Sequence, residues 1–99
     1  MQKQVKLKNV ARYLKTAATQ MQLAQHLYKN SQSAERSATY VQFAASNAQA
    51  IKAKYAHIVA NAQQYETLII AQCLHNSSVY NNAVADLYYI KNVHNLIQA

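Results

Sequence analysis

The chain has 99 residues, contains neither glycine nor proline, and carries ten Lys or Arg against three acidic residues, giving a formal net charge of +7. This length allows a single domain over residues 1–99. The absence of glycine for tight turns and of proline for loops argues against a sandwich, a barrel or another loop-rich fold. The single cysteine, Cys73, excludes an internal disulfide.

The first predicted helix covers residues 3–29. Its apolar residues recur three and four positions apart, which places them on one stripe of a helix, as in coiled-coil-like heptads. The stripe comprises Leu7, Val10, Leu14, Ala17, Met21, Ala24 and Tyr28. The register persists over three heptads, so we expect this stripe to pack against another helix.

Five basic residues of the first helix lie off this stripe: Lys3, Lys6, Lys8, Arg12 and Lys15. The first acidic residue of the chain is Glu35, so no acid on the helix neutralises them. We interpret the five as an electrostatic docking surface for an acidic protein or for anionic lipid headgroups. Nucleic acid is the weaker alternative because only two of the ten basic residues are arginine, the preferred phosphate ligand.

A basic, acid-poor, amphipathic start is also typical of mitochondrial targeting peptides. Such peptides are usually rich in Arg and Ser, whereas this segment is mainly lysine and has no serine before Ser31. The apolar stripe also continues in register to Tyr28. We therefore expect a permanent helix, and an intracellular protein whose uncleaved N-terminus is compatible with a mitochondrial location.

The second predicted helix covers residues 33–75, with Ser33 as its N-cap and Glu35 in its first turn. Its stripe runs over four heptads through Val41, Ala44, Ala48, Ile51, Tyr55, Ile58, Ala62, Tyr65 and Ile69. Ser46 and Asn47 are weak helix formers inside it. A break there would give the alternative fold, a compact four-helix bundle, whereas an unbroken helix would leave the two shorter helices to cover its two ends separately.

The third predicted helix covers residues 78–98, capped by Ser77 or Ser78, with its own apolar side. Tyrosine is unusually frequent, with eight against one phenylalanine, and tyrosine is enriched at protein interfaces. The predicted packing or interface residues are Leu7, Val10, Leu14, Met21, Tyr28, Ile51, Tyr55, Ile58, Tyr65, Ile69, Leu87, Tyr88, Tyr89 and Ile90. The fold class is therefore all-α, with three helices and a long central helix.

Residues suited to catalysis or metal binding are sparse. The four histidines show no i,i+3 or i,i+4 pairing, and the three carboxylates are isolated from one another in the sequence. Phosphate-binding loops of the usual kind require glycine, which the chain lacks. We therefore predict no enzyme activity, no catalytic residues, no cofactor and no metal site. The longest apolar cluster, "TLIIAQCL", is too short for a transmembrane helix.

Three functions remain open for a chain of this kind. The first is a small, non-catalytic structural subunit that makes protein–protein contacts within a larger assembly, in an organelle or at a membrane. The second is a basic helical protein that binds nucleic acid. The third is a free-standing helical adaptor or inhibitor. Only 13% of the residues are charged, about half of the usual share, which favours the first because a free-standing bundle normally carries a more charged surface.

Overall fold

The computed structural model describes residues 7–98, and this part of the chain is all-α, with five helices and no strand. The helices are α1 (Val10–Ser31), α2 (Ala38–Lys54), α3 (Ala56–Ala60), α4 (Ala62–Cys73) and α5 (Ser77–Leu96). The predicted all-α class is confirmed. The predicted count of three helices, or four in the alternative, is wrong because the central element is divided twice.

Helix α1 begins later than predicted. Asn9 is its N-cap, and the Asn9 side chain accepts a hydrogen bond from the backbone N–H of Arg12 at 3.0 Å. This cap satisfies a backbone donor that the helix itself leaves free, so residues 7–9 precede the helix. Residues 3–6 of the predicted helix lie outside the described residues. Val10, Leu14 and Met21 on the predicted stripe are fully buried.

The central element forms three helices in line rather than one unbroken helix. The N-cap of α2 is Ser37, whose hydroxyl accepts from the Tyr40 N–H, so Ser33 is not the cap. The run is interrupted at Tyr55 and at Asn61, where ψ is 11° and 29°. At Asn61 the side-chain amide donates to the carbonyl of His57 at 2.8 Å. Such local bonds compete with the regular helical pattern.

The alternative break near Ser46 and Asn47 is also wrong, because α2 continues through both residues. Their side chains bond along the helix: Ser46 Oγ accepts from Gln42, and Asn47 Nδ2 donates to the Phe43 carbonyl at 2.8 Å. Weak helix propensity at two positions is a small effect that such contacts and tertiary packing override.

Helix α5 is capped by Asn76, whose side chain accepts from the Val79 N–H, rather than by Ser77 or Ser78. At the other end of α5, Lys52 Nζ donates to the Ile97 carbonyl. Gln49 Nε2 donates to the Gln98 carbonyl at 2.7 Å. Two side chains of α2 therefore hold the C-terminal end of α5 against the central run.

The helices form an up–down–up arrangement. The α2–α4 run is antiparallel to α1, since Lys54 lies beside Gln20 and His57 beside Tyr13. Helix α5 returns parallel to α1 and packs on α1, α3 and α4. One core cluster contains residues of α1, of α5 and of the central run from Tyr55 onward. The expectation that the two shorter helices cover opposite ends of the central one is therefore wrong.

The described part of the chain is flat and elongated. Its principal extents are 49 × 33 × 18 Å, and its radius of gyration is 15.2 Å, against about 13 Å for a compact domain of 100 residues. Beyond the end of α5, α2 packs chiefly on α1. At this end Ala44 and Ala48 are buried but do not belong to the main core cluster.

Candidate functional site

Three of the five predicted docking residues lie within the described part of the chain. Lys8, Arg12 and Lys15 are all exposed. Lys3 and Lys6 lie outside it. Arg12 and Lys15 are three positions apart on α1, so they share one side of the helix. That side faces the N-terminal half of α5.

The space between α1 and α5 is a groove, which we call the α1–α5 groove. One part of the groove, of ≈ 410 Å³, is lined by Asn9, Arg12 and Asn82, among others. A second part, of ≈ 320 Å³, is lined by residues that include Gln22 and Tyr89. Both parts are open to solvent and both include Lys15 and Asp86, so they lie next to each other along the parallel helices.

Asp86 is the acidic residue that lines this groove. Burial raises the pKa of Asp86 above its ordinary value, and the nearby positive charge of Lys15 offsets part of this rise. The N-terminal ends of α1 and α5 lie at the same end of the groove, where their dipoles add positive potential. Two basic side chains, Arg12 and Lys15, therefore line the groove together with one carboxylate.

A second polar cluster joins α1, α3 and α4. The hydroxyl of Tyr13 is 2.7 Å from Nε2 of His57, and the rings of Tyr13 and Tyr65 stack with centroids 6.3 Å apart. Tyr65 is only 2% exposed. Burial, followed by the neighbouring Tyr13, raises the pKa of Tyr65 to about 12, and burial likewise raises the pKa of Tyr13. Both phenols therefore remain protonated at neutral pH.

The predicted packing residues mostly lie inside the protein. The structure buries Val10, Leu14, Met21, Tyr55, Ile58, Tyr65, Ile69, Leu87 and Ile90. It partly buries Leu7, Tyr28, Ile51 and Tyr89 against the same core. Tyr88 is 49% exposed, with Lys91 Nζ 5.3 Å from its ring centroid. Most of these residues therefore hold the chain's own helices together. Tyr88 is the exception and is the predicted interface residue most available to a partner.

The largest exposed apolar side chains are mostly residues that the stripe analysis did not single out. They are Leu23, Phe43, Ile70, Leu74, Val79, Tyr88 and Leu96, with exposed fractions from 38% to 69%. Ile70 and Leu74 are four positions apart next to the α4–α5 connection. Ile70 follows the stripe residue Ile69 and Leu74 lies beyond the end of the stripe, so heptad spacing alone does not reveal whether either side chain is covered.

Within residues 7–98 no group of three His, Cys, Asp or Glu side chains is placed to hold a metal ion. Cys73 is buried in the core. None of the described helices combines the length and the hydropathy that crossing a membrane requires.

Comparison of the chain with protein-family models, with curated proteins and with solved structures finds no match.

Proposed function

We propose that this chain is a small, non-catalytic helical subunit that packs into a larger protein assembly. The observation that supports this best is the set of seven large apolar side chains exposed within residues 7–98. Phe43, the only phenylalanine of the chain, is 56% exposed, and Leu74 is 69% exposed. Ile70 and Leu74 are one helical turn apart, and neighbouring exposed apolar side chains of this kind are typical of protein–protein contact sites.

The interior supports the same proposal. Among the described residues no Asp, Glu, His, Lys or Arg is buried, and the core consists of aliphatic residues with Tyr55, Tyr65 and Cys73. The flat shape leaves much surface per residue, and a small domain of this kind gains little stability from its own core. Contact with other subunits would cover part of this surface and stabilise the folded state.

The proposal is tested by purifying the tagged chain from its own cells under mild conditions and measuring its native mass. We expect an assembly far larger than the 11.1 kDa chain, insensitive to nuclease. The double variant Phe43→Gln with Leu74→Gln should release the chain from this assembly. The matched control, Ala50→Gln with Ala71→Gln, alters exposed positions of α2 and α4 near the two test positions in the sequence and should leave the assembly intact.

Two other outcomes would contradict the proposal. A monomer of about the chain mass that unfolds cooperatively by itself, unaffected by the variants, would identify a free-standing adaptor or inhibitor. Loss of the large species after nuclease treatment would identify a nucleic-acid-binding protein, whose affinity should also fall steeply with salt.

A further inference from the structure

We propose that the α1–α5 groove binds an acidic segment of a partner protein, with Arg12 and Lys15 contacting its carboxylates. This inference rests on the proposed function, since it assumes a protein partner. The groove runs along α1 from Asn9 to Gln22, which is about 20 Å at about 1.5 Å per residue. That length accommodates three to four turns of a helix or a short extended segment.

The charges of the groove select for carboxylates. Arg12 and Lys15 are exposed on one side of it, and Lys8 is exposed just before the start of α1. The whole chain carries +7, so approaching anions meet an attractive field. A guanidinium group binds a carboxylate with two parallel hydrogen bonds, and the side-chain amides of Asn9 and Asn82 supply further donors in the same part of the groove.

The lining of the groove also suits a polypeptide. Small side chains line the floor of the groove, where Ala11 is partly exposed and Ala18 and Ala83 are buried, so no bulky group there obstructs a partner backbone. Apolar contact combined with a few charge pairs is the usual composition of a protein interface.

Asp86, the concave shape of the groove and its single aromatic residue disfavour nucleic acid and a lipid surface as the anionic partner. A nucleic acid strand carries a charge at every phosphate and places one beside Asp86, whereas a protein segment can place a neutral residue there. A lipid surface presents its headgroups to a flat or convex face, while Arg12, Lys15 and Asp86 line a concave one. Base stacking also needs several aromatic residues, and Tyr89 is the aromatic residue that lines the groove.

The first test measures binding of a labelled helical peptide of about 14 residues that carries Glu once per turn, by fluorescence anisotropy with the full chain. The double variant Arg12→Gln with Lys15→Gln should weaken binding at least about tenfold. Asp86→Asn should tighten it. Lys29→Gln removes one charge from the exposed last turn of the same helix and should change the affinity less than about twofold.

Three results would overturn the inference: a similar loss from Lys29→Gln alone, equal affinity for a peptide with Gln in place of Glu, or tighter binding of a single-stranded oligonucleotide or of anionic vesicles at the same residues. Circular dichroism of each variant confirms that the helices remain formed.

The second test uses the native assembly. A photoreactive residue at Asn82, inside the groove, should crosslink to a partner peptide containing at least two Asp or Glu. A crosslinked peptide without acidic residues, or an assembly that survives Arg12→Gln with Lys15→Gln unchanged, would overturn the groove inference and leave the proposed function standing. The absence of any assembly for the unaltered chain would instead overturn the proposed function.

Discussion

The side chain of Tyr65 is packed inside the protein against the ring of Tyr13, and its hydroxyl group holds its proton more tightly than a free phenol does. Burial, followed by the neighbouring Tyr13, raises the pKa of Tyr65 to about 12, against about 10 for an unperturbed tyrosine. In the unfolded chain the same group loses its proton at lower pH. The folded state is therefore favoured less and less as the pH rises through this interval.

We predict that the free energy of unfolding falls as the pH rises from about 10 towards 12, and that Tyr65→Phe makes this fall shallower. The difference between the unfolding free energies of the two proteins should change over this pH range by at most about 3 kcal/mol, at about 1.4 kcal/mol for each unit of pKa difference. Denaturant unfolding at a series of pH values measures this. Tyr13 and the other tyrosines are present in both proteins, so the difference reports Tyr65 together with its interaction with Tyr13. Parallel profiles would show that Tyr65 is not the group responsible.

The burial of apolar residues follows closely from their spacing in the sequence, whereas the hydrogen-bond partners of polar residues do not. Three-and-four periodicity identifies Leu14, Met21 and Ile58 as residues of an apolar stripe, and all three are fully buried. The hydrogen bond between Tyr13 and His57 joins residues 44 positions apart, and local spacing gives no sign of it. Local spacing does not predict the α1–α5 groove either. Arg12 and Lys15 stand out in the sequence, but their proximity to Asp86 depends on how the two helices are placed.

At the scale of the elements, the side chain of Gln72 fixes the start of α1. Its Nε2 donates to the carbonyl of Leu7 at 2.6 Å, and its Oε1 accepts from the N–H of Val10 at 2.8 Å. One amide thus satisfies both a donor and an acceptor of the backbone where α1 begins. This bond pair also explains a polar residue inside the apolar cluster of α4, and it connects the end of the central run to the first helix.

We predict that Gln72→Ala lowers the free energy of unfolding by about 1–3 kcal/mol, because two partly buried hydrogen bonds are lost and the Val10 N–H is left without its partner. The hydrogen-exchange protection of the Val10 amide should fall with it. Gln63→Ala, at an exposed position of the same helix, is the control and should change the stability by less than about 0.5 kcal/mol. Equal effects of the two substitutions would mean that the Gln72 contacts contribute nothing specific.

The boundaries of the central helices are less predictable than their stripe. The four heptads continue in register from Val41 to Ile69, and the buried residues follow them through both interruptions. No glycine or proline marks Tyr55 or Asn61, and neither backbone adopts a positive φ. An ideal helix drifts by about 20° per heptad from an exact seven-residue repeat. A stripe that stays in contact with its neighbours over four heptads therefore requires a local change in helical geometry. The sequence does not specify where along the helix this change occurs.

At the scale of the whole molecule, the two ends of the described part of the chain are built differently. From Tyr55 onward, the central run shares one core with α1 and α5, which includes Ile58, Ile69 and Leu87. At the other end, the first part of α2 is covered chiefly by α1, and its buried contacts come from Ala44 and Ala48. Alanine buries little apolar area, so each contact there contributes less to stability than a leucine or isoleucine contact in the main core.

We therefore predict that native-state hydrogen exchange divides the molecule into two regions. Amides of residues 42–48 should exchange through openings that cost less free energy than those of residues 87–93, although both segments lie inside helices, because regions with few buried apolar contacts open locally first. When the chain enters an assembly that covers Phe43, protection of residues 42–48 should rise while that of residues 87–93 changes little. Exchange with one common free energy in the isolated chain would show a single cooperative unit and contradict this division.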